Sequence, residues 1–83
     1  MKLLYFAWLR ERIGVAQEEV TLPPGVQDVA GLLDWLRQRG PNYALALSNT
    51  KAVRVAVNQQ YRKPDAPVSQ GDEVALFPPV TGG

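Results

Sequence analysis

The sequence predicts an α+β fold in which a mixed sheet wraps around one main helix. Three observations lead there. Several short segments have the apolar composition of strands. One stretch carries apolar residues at helical spacing. That stretch falls between the first strand pair and the remaining strands. The chain has 83 residues, 46% of them apolar, enough for one small domain with a core that needs no disulfide.

Lys2 to Leu9 is apolar at nearly every position and reads as a central strand buried on both faces. Arg10 to Gly14 reads as a polar turn, with Gly14 as the breaker. From Gln17 to Leu22, Val20 and Leu22 share one face while Glu19 and Thr21 share the other. This predicts a half-exposed strand in a hairpin with the first. Pro23-Pro24-Gly25 ends it. Asp28 is a good N-cap, because its carboxylate can accept from the free N–H groups of a first turn. Val29, Leu32, Leu33 and Leu36 then form one apolar stripe, with Trp35 at its flank. Gly40 is the expected residue just past the helix, and Pro41 forbids continuation.

Tyr43 to Leu47 reads as a short helix or turn. Val53, Val55 and Val57 alternate with Arg54 and Ala56 as a strand. Asn58-Gln59-Gln60 turns into a short piece around Tyr61. Glu73 to Phe77 is the last strand, with Val74 and Leu76 facing the helix and Phe77 facing away. The first and last strands are the pair most easily made parallel, since the helix crossover separates the two halves. That layout is a β-grasp, or ubiquitin-like, roll. Residues 1–83 are expected to form a single domain of this kind, with a flexible tail from about residue 78.

Composition removes several functions. The chain has no Cys and no His, which excludes a cysteine nucleophile, a structural zinc site, an iron–sulfur cluster and the usual catalytic histidine. Nine Lys and Arg against eight Asp and Glu give a net charge of +1. The basic residues are scattered along the chain, which argues against nucleic acid. No apolar run reaches the roughly 18–20 residues that span a bilayer. The opening segment reads as a strand and not as a signal peptide, so the expected location is the cytoplasm. No acids pair in a way the sequence can defend, and no Gly-rich phosphate loop is present.

Chemistry is therefore sought in the tail, Pro78-Pro79-Val80-Thr81-Gly82-Gly83. Two prolines hold the base extended, and two glycines make a thin tip. Such a tip can deliver the Gly83 carboxylate into a narrow active site. A carboxylate is a poor electrophile, so a partner must first activate it, for example as a mixed anhydride with a nucleotide. With no Cys in the chain, any covalently carried sulfur would sit on this carboxyl group. Phe77 and Tyr61 are expected to form an apolar contact beside the tail.

The segment Asp72 to Gly83 resembles the end of the small, sulfur-carrying subunits of molybdopterin synthase. The similarity extends through Leu4-Tyr5-Phe6-Ala7, Leu9-Arg10-Glu11, Tyr43 to Leu47 and Val57-Asn58-Gln59. The resemblance implies that an adenylating enzyme related to ubiquitin activators uses ATP to form an acyl-adenylate on Gly83. A sulfur donor then converts it to a thiocarboxylate. The tail would insert into the large synthase subunit, within a heterotetramer, and pass sulfur to cyclic pyranopterin monophosphate. It also implies that Phe77 and Tyr61 touch that subunit, and that Arg10 makes a polar contact or supports the tail. Tyr61 stands where the family often has an aliphatic residue. The catalytic side chains would belong to the large subunit, which makes this chain more a cosubstrate than an enzyme, with no stably bound cofactor. A carrier for thiamin thiazole synthesis, a ubiquitin-like protein modifier and a plain β-grasp adaptor remain as alternatives.

Overall fold

The computed structural model describes residues 1–79. Its elements run β1 (Lys2–Tyr5), α1 (Trp8–Ile13), β2 (Gln17–Glu19), α2 (Val29–Arg37), α3 (Pro41–Ala46), a 3₁₀ turn (Thr50–Ala52), β3 (Arg54–Val57), β4 (Gln60–Arg62) and β5 (Glu73–Phe77). The strands form one sheet in the order β2-β1-β5-β3-β4. β1 and β5 are parallel, and every other pair is antiparallel. This is the expected β-grasp, with β5 at its centre.

α2 forms as its sequence predicts. The Asp28 carboxylate accepts from the Gly31 N–H at 2.7 Å, and Val29, Leu32, Leu33 and Leu36 are all buried. They meet Leu3, Tyr5, Val74 and Leu76 from the sheet in a single core. Burying each such Val or Leu contributes about 1.5–3 kcal/mol.

Three expectations need correction. The first strand stops at Tyr5, and its burial alternates, with Leu3 and Tyr5 inside and Lys2 and Leu4 half-buried on the other face. It ends because Ala7 takes φ 55 and ψ −134, a conformation that costs a non-glycine residue roughly 1–3 kcal/mol. Next, Arg10 to Gly14 is not a turn but the body and cap of α1. Leu9 and Ile13, one helical turn apart, are its buried residues. Gly14 closes it in the left-handed region at φ 100, with its N–H bonded to the Arg10 carbonyl at 2.9 Å. β1 and β2 thus pair antiparallel as expected, but a helix joins them, and β2 ends at Glu19. Finally, Gly40 is extended (φ 162) and serves as the N-cap of α3, with Pro41 in its first turn. Pro41 therefore starts a helix as well as ending the reach of α2.

Candidate functional site

The alternation of β5 separates the core from a candidate contact surface. Val74 and Leu76 have no exposed surface, while Ala75 and Phe77 on the opposite face are half-buried. Cross-strand register carries that outer face across the sheet. Leu4 lies beside Ala75, Ala75 beside Ala56, and Ala56 beside Tyr61. At the end of β5, the Phe6 N–H donates to the Leu76 carbonyl at 3.1 Å, which places Phe6 next to the strand's exit. Phe6 is 48% exposed and Tyr61 73% exposed. The Tyr61 and Phe77 rings meet edge-on, with centroids 5.5 Å apart, a favoured arrangement for two aromatic quadrupoles. Phe6, Phe77 and Tyr61 thus make an apolar strip on the outer face where the chain leaves the sheet.

The structure brings the Phe77 and Tyr61 rings into contact. Phe77 is shielded more than a free anchor would be, and Tyr61 presents most of the open surface. Arg10 is exposed on α1, which begins directly after Phe6 and Ala7. Pro78 and Pro79 are half-buried and continue beyond β5 outside any strand. Val80, Thr81, Gly82 and Gly83 lie outside the described residues. Phe6 was missed as a site residue because its apolar neighbours made it look like the interior of a buried strand. The signal was available in the period-two alternation of Lys2, Leu4 and Phe6.

A second cluster sits on the inner side of the sheet's other edge. The Tyr5 and Tyr43 hydroxyls both donate to Oε2 of Glu18 at 2.7 Å. Arg39 Nη1 lies 3.0 Å from its Oε1. Arg39 also covers the Trp35 and Tyr43 rings, 5.3 and 4.9 Å from their centroids. Burial pushes the Glu18 carboxyl up, but the hydrogen bonds from Tyr43, Tyr5 and Arg39 outweigh it and hold the group below its ordinary range. Burial, and then the Glu18 carboxylate, raise both tyrosines. Every polar group in this cluster is matched to another, which suits holding β1, β2 and the α2–α3 junction together. Among the described residues, no three carboxylates gather as metal ligands would. No helix among them is long and apolar enough to cross a membrane.

Known proteins resemble this chain along nearly its whole length. The ThiS family model matches residues 3–83. The molybdopterin synthase sulfur carrier subunit of Haemophilus influenzae is 40% identical over 83 residues, covering 100% of this chain and 99% of that protein. That of Escherichia coli is 41% identical with the same coverage. Among solved structures, SAMP1 from Haloferax volcanii has a TM-score of 0.75 at 30% identity, covering 100% of this chain and 98% of its own. A putative molybdopterin converting factor subunit 1 from Pyrococcus furiosus has a TM-score of 0.76 at 32% identity, covering 95% of both chains. With a full-length match to the family and to curated relatives at this identity, the chain belongs to the ThiS family, among the molybdopterin synthase sulfur carrier subunits.

Proposed function

We propose that this chain carries sulfur on the carboxyl group of Gly83 and delivers it during synthesis of the molybdenum cofactor. The supporting observation is the position of the Phe6–Phe77–Tyr61 strip, which includes the last residue of β5, where the Pro78-Pro79-Val80-Thr81-Gly82-Gly83 segment begins. A surface there can seat a partner while the tail enters that partner's active site.

The chemistry has two stages. The Gly83 carboxylate attacks the α-phosphorus of ATP on an adenylating partner, releasing pyrophosphate and leaving an acyl-adenylate. A sulfur nucleophile from a donor then displaces AMP, leaving a thiocarboxylate. The large synthase subunit supplies the catalytic side chains for transfer of that sulfur to cyclic pyranopterin monophosphate. A related solved structure, 20% identical, is a complex of subunits 1 and 2 of the molybdopterin-converting factor from Helicobacter pylori. By analogy, we assign the apolar strip to the large subunit, Arg10 to a polar contact beside it, and the assembly to two copies of each chain. The reaction consumes ATP, which agrees with a cytoplasmic location, and this chain itself holds no cofactor.

Intact mass spectrometry tests the reading. After incubation with ATP, a sulfide source and the cognate activating enzyme, the protein should gain the mass difference of one sulfur replacing one oxygen. An unchanged mass overturns it. The likeness to the small archaeal modifier protein SAMP1 favours a second reading, attachment of Gly83 to lysines of other proteins. Isopeptide-linked adducts in cells expressing the tagged chain would establish that activity.

A further inference from the structure

On the inner side of the sheet, a groove of about 420 Å³ opens between α2, β3 and the β4 edge. Its base is the buried apolar layer of Val29 and Leu33 of α2 with Val53 and Val55 of the β3 region, and the exposed Tyr61 ring and Pro64 supply apolar surface along its side. Its rim is basic. Arg37, Lys51, Arg54, Arg62 and Lys63 line it, and Asp34 is the single acid among the lining residues. The whole chain has nine basic and eight acidic residues, so more than half of its cations gather where one carboxylate does. The fold creates this concentration, since the five residues come from a helix, a 3₁₀ turn and two strands with their flanks.

The walls are fixed. The Val29 N–H donates to the Ala66 carbonyl at 3.0 Å, and the Ala30 N–H to the Pro64 carbonyl at 2.9 Å. These bonds tie the segment after β4 to the start of α2. Across the groove, the Asn49 side chain accepts from the Lys51 N–H at 3.1 Å, and Arg54 Nη1 donates to the Lys51 carbonyl at 2.8 Å. A concave, apolar and pre-formed site with charged groups at its rim is the usual shape of a binding pocket.

We propose that this groove is a second docking surface, which takes an extended peptide segment of a partner protein consisting of a short apolar run flanked by carboxylates. The apolar side chains settle against Tyr61 and Pro64 over the buried base, and the acids pair with the rim. Charge complementarity selects the occupant. Asp34 already pairs with Arg37, so a neutral apolar peptide would leave Lys51, Arg62 and Lys63 without an acid, and a bare polyanion would leave the Tyr61 ring in water. Tyr61 lines the groove and also meets Phe77 edge-on, so the groove adjoins the outer strip at the β4 edge while Phe6 and Phe77 lie outside it. The inference does not depend on the sulfur-carrier reading.

The test uses the ¹⁵N-labelled full chain and a synthetic peptide with a Leu-Val-Val-Leu centre and three Asp or Glu residues on each side. Saturable shifts should appear at Val29, Ala30, Leu33, Val53 and Lys63 and spare Phe6 and Phe77. Lys51 and Lys63 are exposed, so the double variant Lys51→Glu/Lys63→Glu should keep the wild-type spectrum elsewhere and bind about tenfold more weakly. Raising ionic strength from about 0.05 M to about 0.5 M should also weaken binding. Shifts confined to Phe6 and Phe77 would overturn the proposal, as would unchanged affinity in the double variant. Equal affinity at the same amides for oligothymidine, or for decanoate, would overturn it too, by showing that charge or an acyl chain alone suffices.

Discussion

Tyr5 and Tyr43 give their hydroxyls to one carboxylate, Glu18, and Arg39 closes the other side of that group. Tyr61, on the opposite face of the same sheet, is 73% exposed and touches Phe77 by its edge. In the first region the aromatic groups are matched internally. In the second they offer surface outward. A small domain needs its internal matches for stability, and any large apolar surface it leaves open invites a partner. The comparison predicts that changes in the first region act on folding, and changes in the second act on binding.

The largest expected effect lies at the end of the outer region. Adding one residue after Gly83 should reduce sulfur acceptance below detection and leave the melting temperature unchanged, because small displacements of reacting atoms are costly. Thiocarboxylate mass and thermal unfolding, measured on the same sample, check both halves. Normal sulfur loading of the extended chain would break the assignment of function to the tail.

Leu76 and Phe77 draw the same contrast between neighbours. Leu76 is fully buried, so Leu76→Ala should destabilise the free protein by about 2–5 kcal/mol. Phe77 is half-buried on the other face. Phe77→Ala should cost the free protein less, but should weaken binding to the large synthase subunit by about 2 kcal/mol, roughly thirtyfold. Urea unfolding and a direct affinity measurement separate the two. A Phe77→Ala protein that melts as early as Leu76→Ala and binds normally would reverse the assignment of faces.

The inner cluster should respond to pH. Glu18 is held below its ordinary value of 4.5 in the folded protein. Its contribution is therefore fully present above the unfolded-state value and is lost as pH falls through the lower folded value. Glu18→Gln should cost about 1–3 kcal/mol near neutral pH by weakening three charge-assisted contacts. The gap between wild type and variant should narrow in acid, below about pH 4. Partner affinity should be unchanged. A stability gap independent of pH would mean that packing, and not the carboxylate charge, holds this region.

Legibility from sequence followed the range of each interaction. α2 was readable because its cap and its stripe lie within nine residues of one another, at Asp28, Val29, Leu32, Leu33 and Leu36. The faces of β5 were readable from strict alternation, and the parallel pairing of β1 and β5 followed from the single crossover helix. α1 was hidden because Arg10-Glu11-Arg12 looks like a polar turn, and only Leu9 and Ile13 mark its buried side. The Glu18 cluster was hidden for a different reason. Its tyrosines lie 13 and 25 residues away in sequence, so no local pattern could pair them. The basic rim of the inner groove looked scattered for the same reason.

The smallest expected effect sharpens how the outer strip is aimed. Asn58 and Gln59 join β3 to β4, with φ of 50 and 69, both positive as a type I′ hairpin turn requires. Asn58 suits its place, since its side chain accepts from the Glu73 N–H at 3.0 Å and donates to Asp72 at 3.1 Å. Gln59 has no such bond to hold it, and an ordinary side chain in the left-handed region costs about 1–2 kcal/mol. Glycine removes that cost but loses more entropy on folding, by roughly 0.5–1 kcal/mol. Gln59→Gly should therefore stabilise the protein by several tenths of a kcal/mol to about 1 kcal/mol, read as a small rise in melting temperature. The turn sets the register that places Tyr61 opposite Ala56, so the gain should come without loss of affinity for the large subunit. Tighter folding with weaker binding would show that the strained turn helps to orient Tyr61, and that the two regions are coupled through β4.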